Sequence, residues 1–160
     1  MDLITKKITL LITLCMLTIT VGYAQKTSDI EVKFNELIQK YENVKGVDCV
    51  SVTKGSGLGL VKAMLNKEFG KDFMKGVTSI NFINYSDASQ ETCQSLRKEL
   101  DGFLSLLEEF KDEDKESTDY EFVRSFALPI DKNTISDFVV AMEDKESKMI
   151  IYMAGKIKID

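Results

Sequence analysis

The last third of the chain contains three short segments rich in β-branched and apolar residues, at residues 120–128, 135–142 and 149–154. Runs of this length bounded by polar turn residues are typical of β-strands. The connections between them are too short to carry a crossover, so neighbouring strands are expected to pair antiparallel. This series commits the chain to a β-sheet that the preceding elements must extend or cover.

Helical and strand patterns alternate before this series. Apolar residues recur at helical spacing in residues 28–46, from residue 58 to a stop at Gly70 or Gly76, and in residues 88–110, which predicts three amphipathic helices. Residues 47–53 and 77–85 are β-branched runs bounded by turn residues, which predicts two strands. The second run has apolar residues on both parities, which indicates a bulge or burial on both faces. A strand-helix-strand series of this kind favours parallel pairing through a right-handed crossover.

The predicted order of elements is α-β-α-β-α-β-β-β. We therefore expect a single α+β domain at residues 25–160, with a mixed sheet of about five strands and three helices packed mainly on one face. A domain of this size buries about two-thirds of its unfolded surface, which is enough for a core.

The N-terminal segment has the order of a secretory signal peptide. Two lysines precede the apolar run at residues 8–21, and small residues, Ala24 and Gly22, stand one and three positions before the expected cut. We expect cleavage after Ala24, so that residues 1–24 are lost and the mature protein is exported to the periplasm or envelope. The apolar run is shorter than a bilayer-spanning helix, and no transmembrane segment is expected after signal removal. Leu14 is too bulky to precede a lipidated cysteine at Cys15.

The composition narrows the chemistry that the chain can perform. Histidine is absent from all 160 residues, so Ser-His-Asp and Cys-His nucleophile systems and histidine zinc sites are excluded. An enzyme would have to use carboxylates, lysines, tyrosines or cysteines. The formal net charge is −5 and the basic residues form no cluster, which argues against nucleic acid as a partner. These features favour a protein without catalytic activity and without a cofactor.

A glycine series lies between the first predicted strand and the second predicted helix. Gly55, Gly57 and Gly59 form G-x-G-x-G, whereas a dinucleotide fingerprint needs its third glycine where this chain has Leu60. No Walker lysine follows at the required spacing either. We interpret the glycines as a turn and expect no nucleotide.

Residues 111–119 are polar and charged throughout, as in a mobile connector. Their acidic series, Asp112, Asp114 and Glu116, resembles the start of a calcium loop. Ser117 occupies the position where that loop needs glycine. We interpret the segment as a solvated linker and predict no metal site.

Cys49 and Cys93 are the only cysteines after residue 24, and an oxidising compartment would permit a disulfide between them. Cys93 belongs to the apolar stripe of its predicted helix. Cys49 alternates with two valines, which turns it toward the opposite face of the sheet. The alternative to a disulfide is therefore two buried thiols that act as small hydrophobic residues.

Two stretches carry a resemblance to a known family: YENVKGVDCVSVTKG at residues 41–55 and IYMAGKIKID at residues 151–160. Their pattern of helix end, glycine and valine-rich strand resembles an uncharacterised family, a domain of unknown function, of small exported proteins from anaerobic gut bacteria. The resemblance covers nearly all of residues 25–160. It implies a signal-bearing envelope protein, often lipidated, with no assigned catalytic residue.

The resulting hypothesis is an exported, non-catalytic module that binds an unknown protein or a cell-surface component. The alternative is a carboxylate- or lysine-dependent hydrolase acting on envelope polymers, which requires a cleft with paired carboxylates. A third hypothesis is a structural protein that polymerises through an exposed edge at residues 149–154.

Overall fold

The computed structural model describes residues 29–110 and 123–159. These residues have the expected α+β class, with four helices and six strands. In chain order the elements are α1 (Asp29–Tyr41), β1 (Asp48–Thr53), α2 (Leu58–Phe69), α3 (Lys71–Lys75), β2 (Val77–Asn84), α4 (Gln90–Leu104), β3 (Glu108–Phe110), β4 (Val123–Asp131), β5 (Thr134–Glu143) and β6 (Lys148–Lys158). The predicted signal peptide, the charged linker with its acidic series, and the first residues of the predicted strand at 120–128 lie outside the described residues.

All six strands join one sheet in the order β1-β2-β6-β5-β4-β3, and every neighbouring pair is antiparallel. The antiparallel pairing predicted for the last three strands is confirmed. The prediction of a mixed sheet is wrong, because β1 and β2 pair antiparallel, with Thr53 opposite Ser79. Strand β6 lies between β2 and β5, so the predicted free edge at residues 149–154 is also wrong.

The connection between β1 and β2 explains their antiparallel pairing. A single helix would carry the chain along the sheet and deliver it to the far end, whereas this connection contains two helices. Helix α2 has 12 residues, and Gly70, with φ of 87°, ends it. Helix α3 has five residues, and Gly76 follows it. The chain therefore re-enters the sheet at the end where it left.

Helices α1 and α4 cover one face of the sheet. In α4 the N-cap residue Ser89 accepts a hydrogen bond from the Thr92 backbone N–H at 3.2 Å, which satisfies a free helix donor. The helix predicted at residues 88–110 is too long, because α4 ends at Leu104 and β3 follows. Leu107 is buried in the connection between them, so the apolar pattern continues past the helix end.

Helices α2 and α3 cover the opposite face, so the prediction of helices mainly on one face is wrong. Val61, Leu65 and Met74 contribute buried side chains to a cluster that includes Ile80 and Phe82 of β2. The apolar residues of both parities in β2 are explained by this two-sided burial, and a register shift also interrupts its pairing with β6. The central strands are thus covered on both faces.

A buried polar pair lies between the sheet and the α1/α4 layer. Asp137 stands at the register shift of β5 against β6, has φ of 56°, and is 1% exposed. The hydroxyl group of Tyr152 donates a short hydrogen bond to Asp137 Oδ1. Aspartate tolerates the left-handed backbone conformation better than most residues, and here the bulge turns its carboxyl group into the core.

Candidate functional site

Strand β1 is an unprotected edge of the sheet. It pairs with β2 over all six residues without a register shift. Its interior, Cys-Val-Ser-Val-Thr, contains neither proline nor a charged residue. Proteins usually blunt edge strands with prolines, charges or bulges, because an open edge recruits other strands. Beyond its first residue, the exposed Asp48, strand β1 has none of these devices.

The turn after β1 fixes the direction of its backbone groups. The Thr53 N–H donates to Ser56 Oγ at 2.7 Å, and the Thr53 C=O accepts from the Ser56 N–H at 3.0 Å. Both Thr53 groups are therefore directed away from β2. Residues of the same parity point the same way in an antiparallel ladder. The N–H and C=O groups of Cys49 and Ser51 thus face the open side of the sheet.

The pairing of β2 with β6 leads to the same assignment of outward-facing residues in β1. The Tyr85 N–H donates to the Lys148 C=O at 2.9 Å, so residues of that parity in β2 bond to β6. Phe82 has the opposite parity and bonds to β1, where Val50 lies opposite it. Val50 is therefore paired with β2, and its neighbours Cys49 and Ser51 face outward.

The opposite edge of the sheet is protected. Strand β3 pairs only with residues 125–127 of the nine-residue strand β4. The following part of β4 contains Pro129, which has no N–H to donate, and two register shifts against β5. Leu128 and Ile130 are 38% and 47% exposed there. The two edges therefore differ in their capacity to accept another strand.

A cleft of about 430 Å³ lies between the first turns of α4 and the start of β6. Its walls are formed by Ala88, Gln90, Cys93, Gln94, Arg97 and Lys148. None of these side chains is a carboxylate. Sequence reasoning missed the cleft, because α4 and β6 are distant in the chain and no local pattern brings Arg97 and Lys148 together.

Lys148 is held firmly at the cleft wall. Its backbone N–H donates to Ser86 Oγ at 2.9 Å, and its Nζ lies 3.7 Å from Cys93 Sγ. Within residues 29–110 and 123–159, no carboxylate lies within ion-pair distance of this ammonium group. Arg97 differs, because its guanidinium forms an ion pair with Glu143, including a 3.0 Å hydrogen bond from Nε.

The two predicted cysteines lie on the same face of the sheet. Cys49 is half-buried and packs against the cluster under α1 and α4 that contains the buried Cys93, so the prediction of opposite faces is wrong. Both thiols are free in the structure. Burial raises the pKa of Cys49 to about 12, and the carboxylates of Glu42 and Asp48 add to this shift. Mass spectrometry with and without reductant distinguishes the two alternatives, a disulfide and two buried thiols.

The glycine series forms the turn between β1 and α2. Gly55 and Gly57 have φ of 99° and 94°, a conformation that side chains disfavour, which accounts for glycine at both positions. Gly57 is the N-cap residue of α2, and Gly59 lies in its first turn. The interpretation of these glycines as a turn agrees with this geometry.

Residues 29–110 and 123–159 contain neither a cluster of metal-ligating side chains nor a membrane-spanning helix. Across the two described ranges, no group of three or more acidic or cysteine side chains is arranged to hold a metal ion. Among the helices of these ranges, none combines the length and apolar character needed to cross a bilayer.

Comparison with known proteins gives one family. A family model described as a domain of unknown function (DUF4252) matches residues 41–160, from the last residue of α1 to the end of the chain. No curated protein and no solved structure gives a match. The matched region contains strand β1, the cleft and all six strands of the sheet.

Proposed function

The chain belongs to the DUF4252 family, a domain of unknown function, and we propose that it is an exported, non-catalytic binding module of the periplasm or cell envelope. Its partner is an extended segment of another protein, which adds to the sheet along β1. The observation that supports this most is the unprotected edge formed by β1, with outward backbone groups at Cys49 and Ser51.

Strand addition uses the backbone for affinity and alternate side chains for specificity. Like backbone groups of Cys49 and Ser51 are spaced by about 7 Å, twice the rise per residue of a strand, and an extended peptide has the same repeat. Ser51 is exposed and leaves the approach open, while Val50 and Val52 keep β1 anchored to the core. The edge is therefore both accessible and rigid.

Photo-crosslinking in the producing cells tests the edge directly. A benzophenone amino acid replaces Ser51 in one variant and Lys98, an exposed residue of α4, in the control variant. We expect an adduct with a single envelope protein at position 51 and none at position 98. Equal adducts at both positions, or none at position 51, would contradict the proposal.

A pair of substitutions at Ser51 separates the backbone from the side chain. Ser51→Pro removes an outward N–H without removing a bond to β2, whereas Ser51→Thr keeps the N–H and a strand-forming side chain. With the crosslinked partner purified, we expect binding to persist in Ser51→Thr and to be lost in Ser51→Pro. Retention by both variants, each folded by circular dichroism, would exclude strand addition.

Export is supported by the leader pattern of residues 1–24. Mass spectrometry of the N-terminus of protein from fractionated cells tests it. We expect material that begins at Gln25 in the envelope or periplasmic fraction. Intact protein that begins at Met1 and is confined to the cytosol would refute this part of the proposal.

The alternative of a carboxylate- or lysine-dependent hydrolase has no comparable support. That chemistry needs two carboxylates, or a lysine with a reaction partner, facing a substrate cleft. The cleft beside α4 is lined by amides, cations and one thiol. We therefore favour binding over hydrolysis.

A further inference from the structure

The ammonium group of Lys148, in the cleft between α4 and β6, has N–H donors that no strong acceptor uses. A lysine carries three N–H donors. The contact it makes is to Cys93 Sγ at 3.7 Å, and thiol sulfur is a weak acceptor. The Cys93 thiol is itself directed at the carbonyl oxygens of Tyr85 and Ala88, both at 3.7 Å. Lys148 therefore keeps most of its hydrogen-bonding capacity for a ligand.

The remaining cleft walls favour the same kind of ligand. Gln90 and Gln94 lie one turn apart on α4, and each amide group supplies N–H donors. Arg97 adds a further cationic side chain, although Glu143 balances its charge from outside the cleft. The cleft lining thus has hydrogen-bond donors on several sides and two cationic side chains but no carboxylate, on a chain whose net charge is −5.

We propose that this cleft binds a small organic or inorganic oxyanion, a carboxylate or a phosphate, with Lys148 as its principal contact. A volume of about 430 Å³ accommodates a small molecule rather than a polymer. Charge-assisted hydrogen bonds to an oxyanion are stronger than the contact with sulfur that they supplement. The site is separate from β1, so it stands or fails independently of strand addition.

Calorimetric titration of the full chain with succinate and with inorganic phosphate tests the site. The decisive variant is Lys148→Gln, and the matched control is Lys145→Gln, an exposed lysine of the neighbouring turn with the same change of charge. We expect Lys148→Gln to weaken binding about 10-fold or more, since a charge-assisted hydrogen bond is lost. Lys145→Gln should leave the affinity within about 2-fold of the starting protein.

A third variant controls for a loss of binding that is caused by misfolding of Lys148→Gln. Lys148→Arg keeps the charge and the donors, so it should retain most of the affinity that Lys148→Gln loses. Binding of succinate alone identifies a carboxylate site, and binding of phosphate alone identifies a phosphate site. The proposal is overturned if neither probe binds at millimolar concentration, or if Lys145→Gln and Lys148→Gln weaken binding equally.

Discussion

Three glycines in the connection between β1 and β2 differ in what an added Cβ atom would encounter. At Gly59, in helix α2, an added Cβ has no atom within 4 Å. At Gly70 the space is also open, but φ is 87° and ψ is 149°. At Gly76 the backbone is ordinary, yet an added Cβ would lie 1.9 Å from the carbonyl oxygen of Lys156.

These differences set the sign and size of the change in the free energy of unfolding that each alanine substitution causes. Gly59→Ala should raise the free energy of unfolding by about 0.5–1 kcal/mol, because alanine loses less chain entropy in a helix. Gly70→Ala should lower it by about 1–3 kcal/mol through backbone strain. Gly76→Ala should lower it by about 3 kcal/mol, since the obstructing atom belongs to the backbone of β6 and cannot rotate away.

Urea unfolding followed by circular dichroism measures all three variants under one set of conditions. If the slope of the unfolding free energy against urea concentration is the same for all variants, their unfolding midpoints report differences in stability. The reasoning is refuted if Gly76→Ala unfolds within about 0.5 kcal/mol of the starting protein, a change typical of an unobstructed surface site. It is equally refuted if Gly59→Ala is strongly destabilised.

Two further predictions concern buried polar groups. Tyr152→Phe should lower the free energy of unfolding by about 1–3 kcal/mol, because it removes the buried hydrogen bond that this hydroxyl group donates to the Asp137 carboxyl group. Tyr41→Phe, which loses a 2.8 Å bond to the partly exposed Glu99, should cost less in the same urea assay, and the reverse order would contradict this prediction. Because burial raises the pKa of Cys49 to about 12, the unfolded thiol ionises first above its ordinary pKa of 9.0, and stability should fall as the pH rises between these values. Unfolding in urea with reductant at about pH 8 and about pH 10 should show a smaller fall for Cys49→Ser, and equal falls would be inconsistent with the shift.

Local patterns predicted the elements of the fold better than their arrangement. The start of α4 was predicted within two residues from the helical spacing of its apolar residues. Its end was misjudged because Leu107 continues the stripe after the helix has stopped. The pairing of β1 with β2 was misjudged because the connection contains two helices, separated by Gly70, instead of the single crossover helix that was expected.

The candidate sites depend on contacts between distant parts of the chain, which explains why the sequence did not reveal them. Strand β1 is an edge only because β6 occupies the other side of β2. Lys148 reaches the cleft only because β6 begins beside the loop that carries Ser86. Asp137 shares its parity in β5 with the buried Ile135 and Val139, but its contact with Tyr152 depends on the pairing of β5 with β6, which local pattern does not specify.

Strand β6 is central in the sheet and is also the last in sequence of the six strands in the described residues. Until β6 leaves the ribosome, β2 and β5 each lack the strand that pairs with them in the centre of the sheet. Contacts such as that of Val77 with Gly155 span much of the sequence, and such long-range pairing slows folding. The sheet therefore cannot close before β6 has been synthesised. If the proposed export occurs, a chain whose sheet has not yet closed is in the unfolded form that a translocation channel requires.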